Sequence, residues 1–298
     1  MAQTLETLAR RTESTKGIRS VVHTMKTLSA INAAPYSRAA TAMEAYHATV
    51  LDGLRGFFLR SGLPKTVAKG KATPVVVVFG TDHGLCGTYN EALAARVRQD
   101  VQSATVLCIG AQMADALDGE GIAVAQTFFP PASVDGIVRL ANLLTGEMDR
   151  IRQGAGNITV TLVYFTREGA GGHVPVIAPV LPLDPDLVAE LMAEPWTSRS
   201  LPDFTMAPDT LFLALLRAHL FASLYRAAAE ALVTENAARL ALMQQAEQTI
   251  DDRLDALNAD TRALRQNEIT TELLDVITGF EALKKDRRKI VAPRREQP

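Results

Sequence analysis

The sequence predicts a central Rossmann-like α/β domain between N- and C-terminal helices that form an antiparallel coiled coil, and three observations predict it. Apolar residues recur at helical spacing before about residue 60. Short β-branched runs then alternate with helical stretches through the middle of the chain. Finally, no proline occurs between Pro208 and Pro293, and over that span apolar residues alternate steps of four and three. With 298 residues, 47% of them apolar and 21% charged, the chain can bury a sizeable core and a second module. A formal net charge of −2 gives no global reason to expect nucleic acid or an anionic membrane as the main partner.

From Thr4 to about Leu59 the chain reads as helix, with Ile18, Val22, Met25 and Leu28 on one face. Pro35 removes a backbone donor and crowds the preceding turn, which predicts a kink or local break near Ala33 to Tyr36. Residues 1–62 are thus assigned to an N-terminal coiled-coil helix, and the Gly- and Pro-containing stretch from Ser61 to Pro74 to a connector.

Residues 73–207 form the expected α/β domain. Pro74 to Phe79 is a continuous β-branched run of the kind buried on both faces of a parallel sheet. Further strands are expected at Thr105–Ile109, Ile122–Val124, Ile158–Tyr164 and, more weakly, Val174–Leu181. Helices are expected at Asn90–Val101, Ala111–Leu117 and Val134–Arg152, and Pro182 to Pro208 reads as an irregular exit. Residues 208–290 then read as one helix. Its span from Leu211 to Leu283, on the order of 110 Å at about 1.5 Å per residue, requires a partner along its length. The first helix is the partner available in this chain. A basic tail, 291–298, follows the basic run from Lys284, where cations suit the helix C-terminus.

Cys86 and Cys108 lie in apolar surroundings without metal-binding or CxxC spacing, so two buried free thiols in a reducing compartment are expected. The first residues carry Glu6 and Glu13 and no apolar leader core, and no run of about eighteen apolar residues is uninterrupted; a cytoplasmic chain reaching a membrane through partners is the expectation.

The most tempting local motif is Gly80-Thr-Asp-His-Gly84-Leu-Cys-Gly87-Thr-Tyr-Asn90, between a strand and a helix. It lacks the lysine of a phosphate-gripping loop, and its glycine spacing is not that of a dinucleotide fingerprint. Tight backbone turning is the better account of Gly84 and Gly87. Asp82 and His83 are the one adjacent acid and histidine near this turn, and a dyad is conceivable. However, His23, His47, His173 and His219 are scattered over other elements and no nucleophile elbow accompanies them.

Asp82 to Asn90 resembles the DRGLCGxYN signature of the gamma subunit of F-type ATP synthases. Thr234-Glu-Asn-Ala-Ala-Arg239-Leu resembles that family's SEQAARM segment, and Arg265-Gln266 through Ile269-Thr270 to Glu272 follows RQxxITxE without a gap. Ser20 to Asn32 keeps Met25 of the N-terminal signature but loses its flanking lysines, His83 replaces an arginine, and Arg262 stands where asparagine is usual. These departures suggest a divergent branch, such as the alternate sodium-type ATPases.

The resemblance implies the known family form, two long terminal helices coiled beside an α/β domain. It implies the central-stalk role: one asymmetric shaft inside a ring of three alternating alpha and beta pairs, coupling rotation of the membrane c-ring to conformational cycling of the catalytic sites. The chain would be present in a single copy, also touch the epsilon subunit, carry no catalytic residue, cofactor or metal of its own, and bind no nucleic acid. It would sit peripherally on the cytoplasmic face of a bacterial plasma membrane. Residue by residue, it implies a polar catch for a beta-subunit loop at Arg265, Gln266 and Thr270, a contact with the beta lever at Met25, and bracing by Arg239. A coiled-coil adaptor, or a dinucleotide-dependent enzyme, is the alternative reading.

Overall fold

The computed structural model describes residues 4–63, 72–101, 103–169, 172–196 and 198–291, with side chains to residue 281. Helix α1 spans Leu5–Ser61 and α6 spans Pro208–Val291. Between them lie β1 (Thr73–Phe79), α2 (Tyr89–Asp100), β2 (Thr105–Ile109), α3 (Ala111–Gly119), β3 (Val124–Phe128), α4 (Val134–Ala155), β4 (Ile158–Glu168), β5 (Gly172–Leu181) and α5 (Pro185–Ala193). The side chains of the basic run from Lys284, and the tail after Val291, lie outside the described residues. The chain divides into two compact units, residues 26–242 and residues 1–25 with 243–298.

In the larger unit the sheet order is β3-β2-β1-β4-β5, parallel except for antiparallel β5 at the edge. Successive β1 side chains alternate between its faces. Val75, Val77 and Phe79 join a core with Ile137, Leu144 and Met148 of α4, Tyr36 and Ala40 of α1, and the Leu220 to Val233 stretch of α6. Val76 and Val78 join the opposite core with Leu93 and Val97 of α2 and Met113 and Leu117 of α3. Burial on both faces explains the unbroken β-branched run. The Leu220 to Val233 stretch of α6 covers the Val75 face of the sheet, which accounts for its run of leucine and alanine.

Several expectations need correction. Of the two alternatives expected at Pro35, a kink or a local break, the break does not occur: the proline lies inside an uninterrupted 57-residue helix. The proline forfeits one helical hydrogen bond, whose acceptor belongs to exposed Ile31, while its neighbour Tyr36 and then Ala40 are held in the core. The stretch after Pro182 is not wholly irregular: Asp184 caps α5 by accepting from the Asp186 N–H at 2.9 Å, Pro185 opens the helix, and Val188 and Leu191 pack on Leu54, Phe57 and Phe58. Arg55, also buried, donates to the carbonyl of Glu194 at 2.7 Å and to that of Pro195, and lies 5.4 Å over the Trp196 ring. β3 lies a few residues later than the apolar run predicts, because it is an edge strand whose Ala125, Gln126 and Thr127 are exposed.

The smaller unit pairs the start of α1 with α6. Arg19 contacts Asp251 at 2.5 Å and His23 contacts Glu247 at 2.9 Å. One partner rises by four as the other falls by four, so the helices run antiparallel. The seam on α1 is Leu8, Thr12, Thr15, Val22 and Met25, and on α6 it is Met243, Ile250, Leu254, Leu257, Thr261 and Leu264. Ile18 and Leu28, expected on the buried face, are 54% and 52% exposed; small and polar residues occupy the seam instead.

In the larger unit, His47 of α1 faces His219 of α6 with Nε2 and Nδ1 3.0 Å apart. Burial lowers both imidazoles, His219 to about 4, where the charges of His47 and Arg226 add to the effect. The folded values lie below the ordinary 6.5, so the unfolded chain binds more protons between about pH 4 and 6.5. We predict that stability is full above about pH 6.5 and falls by up to about 1.4 kcal/mol per pH unit below it, and that His219→Phe flattens this slope in urea melts.

Candidate functional site

The register of the smaller unit determines which residues are left for a partner. Carrying the Arg19–Asp251 alignment back to Leu5, where α1 begins, reaches residue 265 of α6. The seam indeed ends at Leu264, and every side chain described from Arg265 to Glu281 is exposed. An exposed helix of this length needs a partner, because most helical stability comes from packing of an apolar face.

This overhang has such a face. Ile269, Leu273, Val276 and Phe280 recur at steps of four, three and four and are 54–70% exposed, as are flanking Leu274 and Ile277. Arg265, four residues before Ile269, heads the same stripe, with Gln266 beside it. The Arg265 guanidinium has no hydrogen bond or ion pair among the described residues. Thr270 differs: its hydroxyl donates to the Gln266 carbonyl at 2.8 Å, bonding within its own helix. Met25 is half-buried on the seam, while nearby Val21 and Leu28 are exposed.

The other two singled-out motifs meet in the larger unit. The Tyr89 hydroxyl is buried against Thr234, 2.9 Å away, and donates to the Ala231 carbonyl at 3.2 Å. Burial pushes that phenol well above its ordinary value. Arg239 bonds Glu235 at 2.7 Å and reaches the carbonyls of His83 and Gly84 at 3.4 and 3.5 Å. Inside the turn, Asn90 accepts from the Thr81 N–H at 3.0 Å and donates to its hydroxyl at 2.8 Å, and that hydroxyl donates to the His83 carbonyl. The glycine turn and the Thr234–Arg239 segment thus form one latch fastening the sheet to α6. Gly87, at φ +68°, meets a backbone need; Gly84 has open space around it, and it is Leu85 that takes φ +65°.

This turn is not arranged for proton transfer: His83 is 3.9 Å from Asp82 and its side chain is 84% exposed, while Asp82 accepts from the Ala111 N–H at the start of α3. Burial raises both thiols, Cys108 to about 12. Among the described residues no group of three or more acids, histidines or cysteines could hold a metal.

Tyr89, Asn90, Thr234 and Glu235 are the latch residues not singled out in the sequence, although both motifs contain them. The side chains of Arg239 and Glu235 are 12% and 10% exposed, and burial raises the Glu235 carboxyl against the lowering effect of Arg239. Arg239→Met should therefore cost about 3 kcal/mol by stranding a buried carboxylate. Denaturant melts should also show the Arg239→Met, Glu235→Gln double variant less destabilised than Arg239→Met alone.

A family model described as ATP synthase matches residues 4–283. The ATP synthase gamma chain of Desulfosudis oleivorans is 27% identical over 306 residues, covering 90% of this chain and 96% of that one. The gamma chain of Bdellovibrio bacteriovorus is 24% identical over 293 residues, covering 94% and 99%. Among solved structures, a chain of the Euglena gracilis mitochondrial ATP synthase (OSCP/F1/c-ring, rotational state 3) superposes with a TM-score of 0.65 at 16% identity, covering 99% of this chain and 98% of that one.

Proposed function

From the premise that the chain belongs to the gamma-chain family of ATP synthases, the central-stalk subunit, we propose that the end of α6 from Arg265 onward is the part of the shaft gripped by the catalytic ring. The observation that carries this is the overhang itself, a helix without a partner among the described residues that presents an apolar stripe headed by an arginine unpaired among them. Alpha and beta subunits supply the sleeve, and the α/β domain docks on the membrane c-ring and on epsilon. One copy serves one ring on the cytoplasmic side of the membrane, and the chain contributes no catalytic group.

The mechanism is mechanical. A single asymmetric shaft cannot meet every alpha–beta pair alike, so its angle biases each site toward a different conformation. Turning the shaft exchanges nucleotide affinities in sequence, and hydrolysis turns it in the opposite sense, because coupling between sites is reciprocal. Arg265 and Gln266 form charge-assisted and amide hydrogen bonds to a beta loop at some angles and not others, with Thr270 beside them. Met25 and the exposed apolar residues of α1 meet the beta lever. Arg239 braces the latch.

The test is the Arg265→Ala, Gln266→Ala double variant in a ring reconstituted with cognate alpha and beta subunits. Loss of a charge-assisted hydrogen bond made at one angle, about 1.5–3 kcal/mol, should lower ATP turnover about tenfold or more while the free chain melts as before. Unchanged turnover would remove these two residues from the catch.

A further inference from the structure

Apart from the latch and the overhang, the larger unit holds a cavity of about 200 Å³ with His47, Tyr164, Asp184, His219, Ser223 and Arg226 on its polar side and an apolar wall that includes Leu162, Val180 and Leu187. By the share of liquid volume a water occupies, this is room for about six waters. It is below the roughly 300–1,000 Å³ of pockets that seat larger organic ligands. His219, Ser223 and Arg226 occupy one face of α6 at steps of four and three. Arg226 is half-buried and has no ion pair or hydrogen bond among the described residues, an arrangement whose electrostatic cost an anion would relieve. The charged and titratable groups facing the pair are His47 itself on α1, Tyr164 on β4, Asp184 before α5, and His219 and Arg226 on α6. The acid among them, Asp184, accepts at Oδ1 from the Asp186 N–H at the start of α5, and no ion pair joins it to Arg226 among the described residues.

The histidine pair adds a proton-dependent element. With Nε2 of His47 and Nδ1 of His219 3.0 Å apart, one proton is shared between them. In the neutral pair, whichever tautomer is present, one of the two outer nitrogens carries a proton and the other does not. One further proton makes both outer nitrogens donors and gives the pair a positive charge. Arg226 opposes that protonation by its charge. An anion on Arg226 cancels the opposition.

We propose that this cavity binds a compact, doubly charged oxyanion of the sulfate or hydrogen phosphate class through Arg226, Ser223 and the His47–His219 pair, and that one proton enters the pair as the anion binds. Because His47 belongs to α1 and His219 to α6, the bound anion ties the two helices together within this unit. Anion and proton each strengthen the binding of the other by the same factor.

The probe is sulfate, whose charge does not change across the range examined, titrated calorimetrically into the full-length chain in buffers of different ionisation enthalpy. The expected result is saturable binding with uptake of about one proton, with affinity rising up to about tenfold per unit of pH decrease between about pH 6.5 and 5. Arg226→Met should weaken binding at least tenfold, and His219→Gln should remove most of the pH dependence. Absence of saturable binding, binding without proton uptake, or full binding by folded Arg226→Met would overturn the proposal. If that variant does not fold, imidazole proton resonances of the unaltered chain decide: sulfate should shift two of the five histidines, and a titration that leaves His47 and His219 unmoved refutes the site.

Discussion

Replacing Ile269, Leu273, Val276 and Phe280 together by serine should leave the isolated chain folded and melting within about 2 °C of the unaltered protein, yet weaken its association with the catalytic ring by about four orders of magnitude. All four are among the exposed residues beyond the end of the α1–α6 seam, so they support no core of their own. In a sleeve, each would transfer about 1.5–3 kcal/mol of apolar surface from water. Four such losses amount to about 6 kcal/mol at the low end, and 1.4 kcal/mol is about a factor of ten in affinity. Sedimentation of labelled chain with preformed alpha–beta assemblies reads this directly. Equal association of the variant would mean that the stripe is not the gripped surface.

The second large effect is expected at Gly110. Its φ is +100°, and an added Cβ would stand 2.3 Å from the Thr81 carbonyl oxygen, a backbone atom that cannot swing away. The contact lies where the ends of β1 and β2 converge: Thr81 also accepts from the Met113 N–H, and the Gly110 N–H donates to Phe128. Gly110→Val combines left-handed strain for a β-branched residue with a backbone clash, and should cost about 4–5 kcal/mol. For a unit of this size the melting temperature should fall by roughly 10–15 °C. The larger unit should melt accordingly, and its latch, to which Thr81 belongs, should lose protection in amide exchange. A melting temperature within a few degrees of normal would show that the turn can rearrange freely.

What the sequence conveyed followed from local periodicity. The β1 run and the long proline-free helix were legible because burial on two faces, and a seam of period 3.5, each leave a pattern in residue type. The buried face of α1 was legible only in part: Val22 and Met25 do lie on the seam, but Thr12 and Thr15 share it and Ser29 and His47 are turned inward further along, while the conspicuous Ile18, Val21, Leu28 and Ile31 face outward. Helix α5 had a readable signal in Asp184-Pro185, overshadowed by the prolines around it. The latch between Tyr89 and Thr234 joins residues 145 apart in the chain, a distance that no local rule spans. For the same reason, the importance of Gly110 depends on a carbonyl from another strand, whereas Gly84, prominent in the motif, has open space around it. Arg265 and Gln266, the proposed catch, stood out by motif alone, and the register of α1 leaves them exposed.

The most direct test of the shaft is to watch it turn. Cys86 and Cys108 are both buried, so Arg199→Cys supplies a single exposed thiol for a gold bead, with cognate alpha and beta subunits fixed to glass. On adding ATP, the account predicts rotation of the bead in one constant direction, and arrest of hydrolysis when the end of α6 is crosslinked to a beta subunit. Undiminished hydrolysis in the crosslinked complex, with a bead that only jitters, would contradict it.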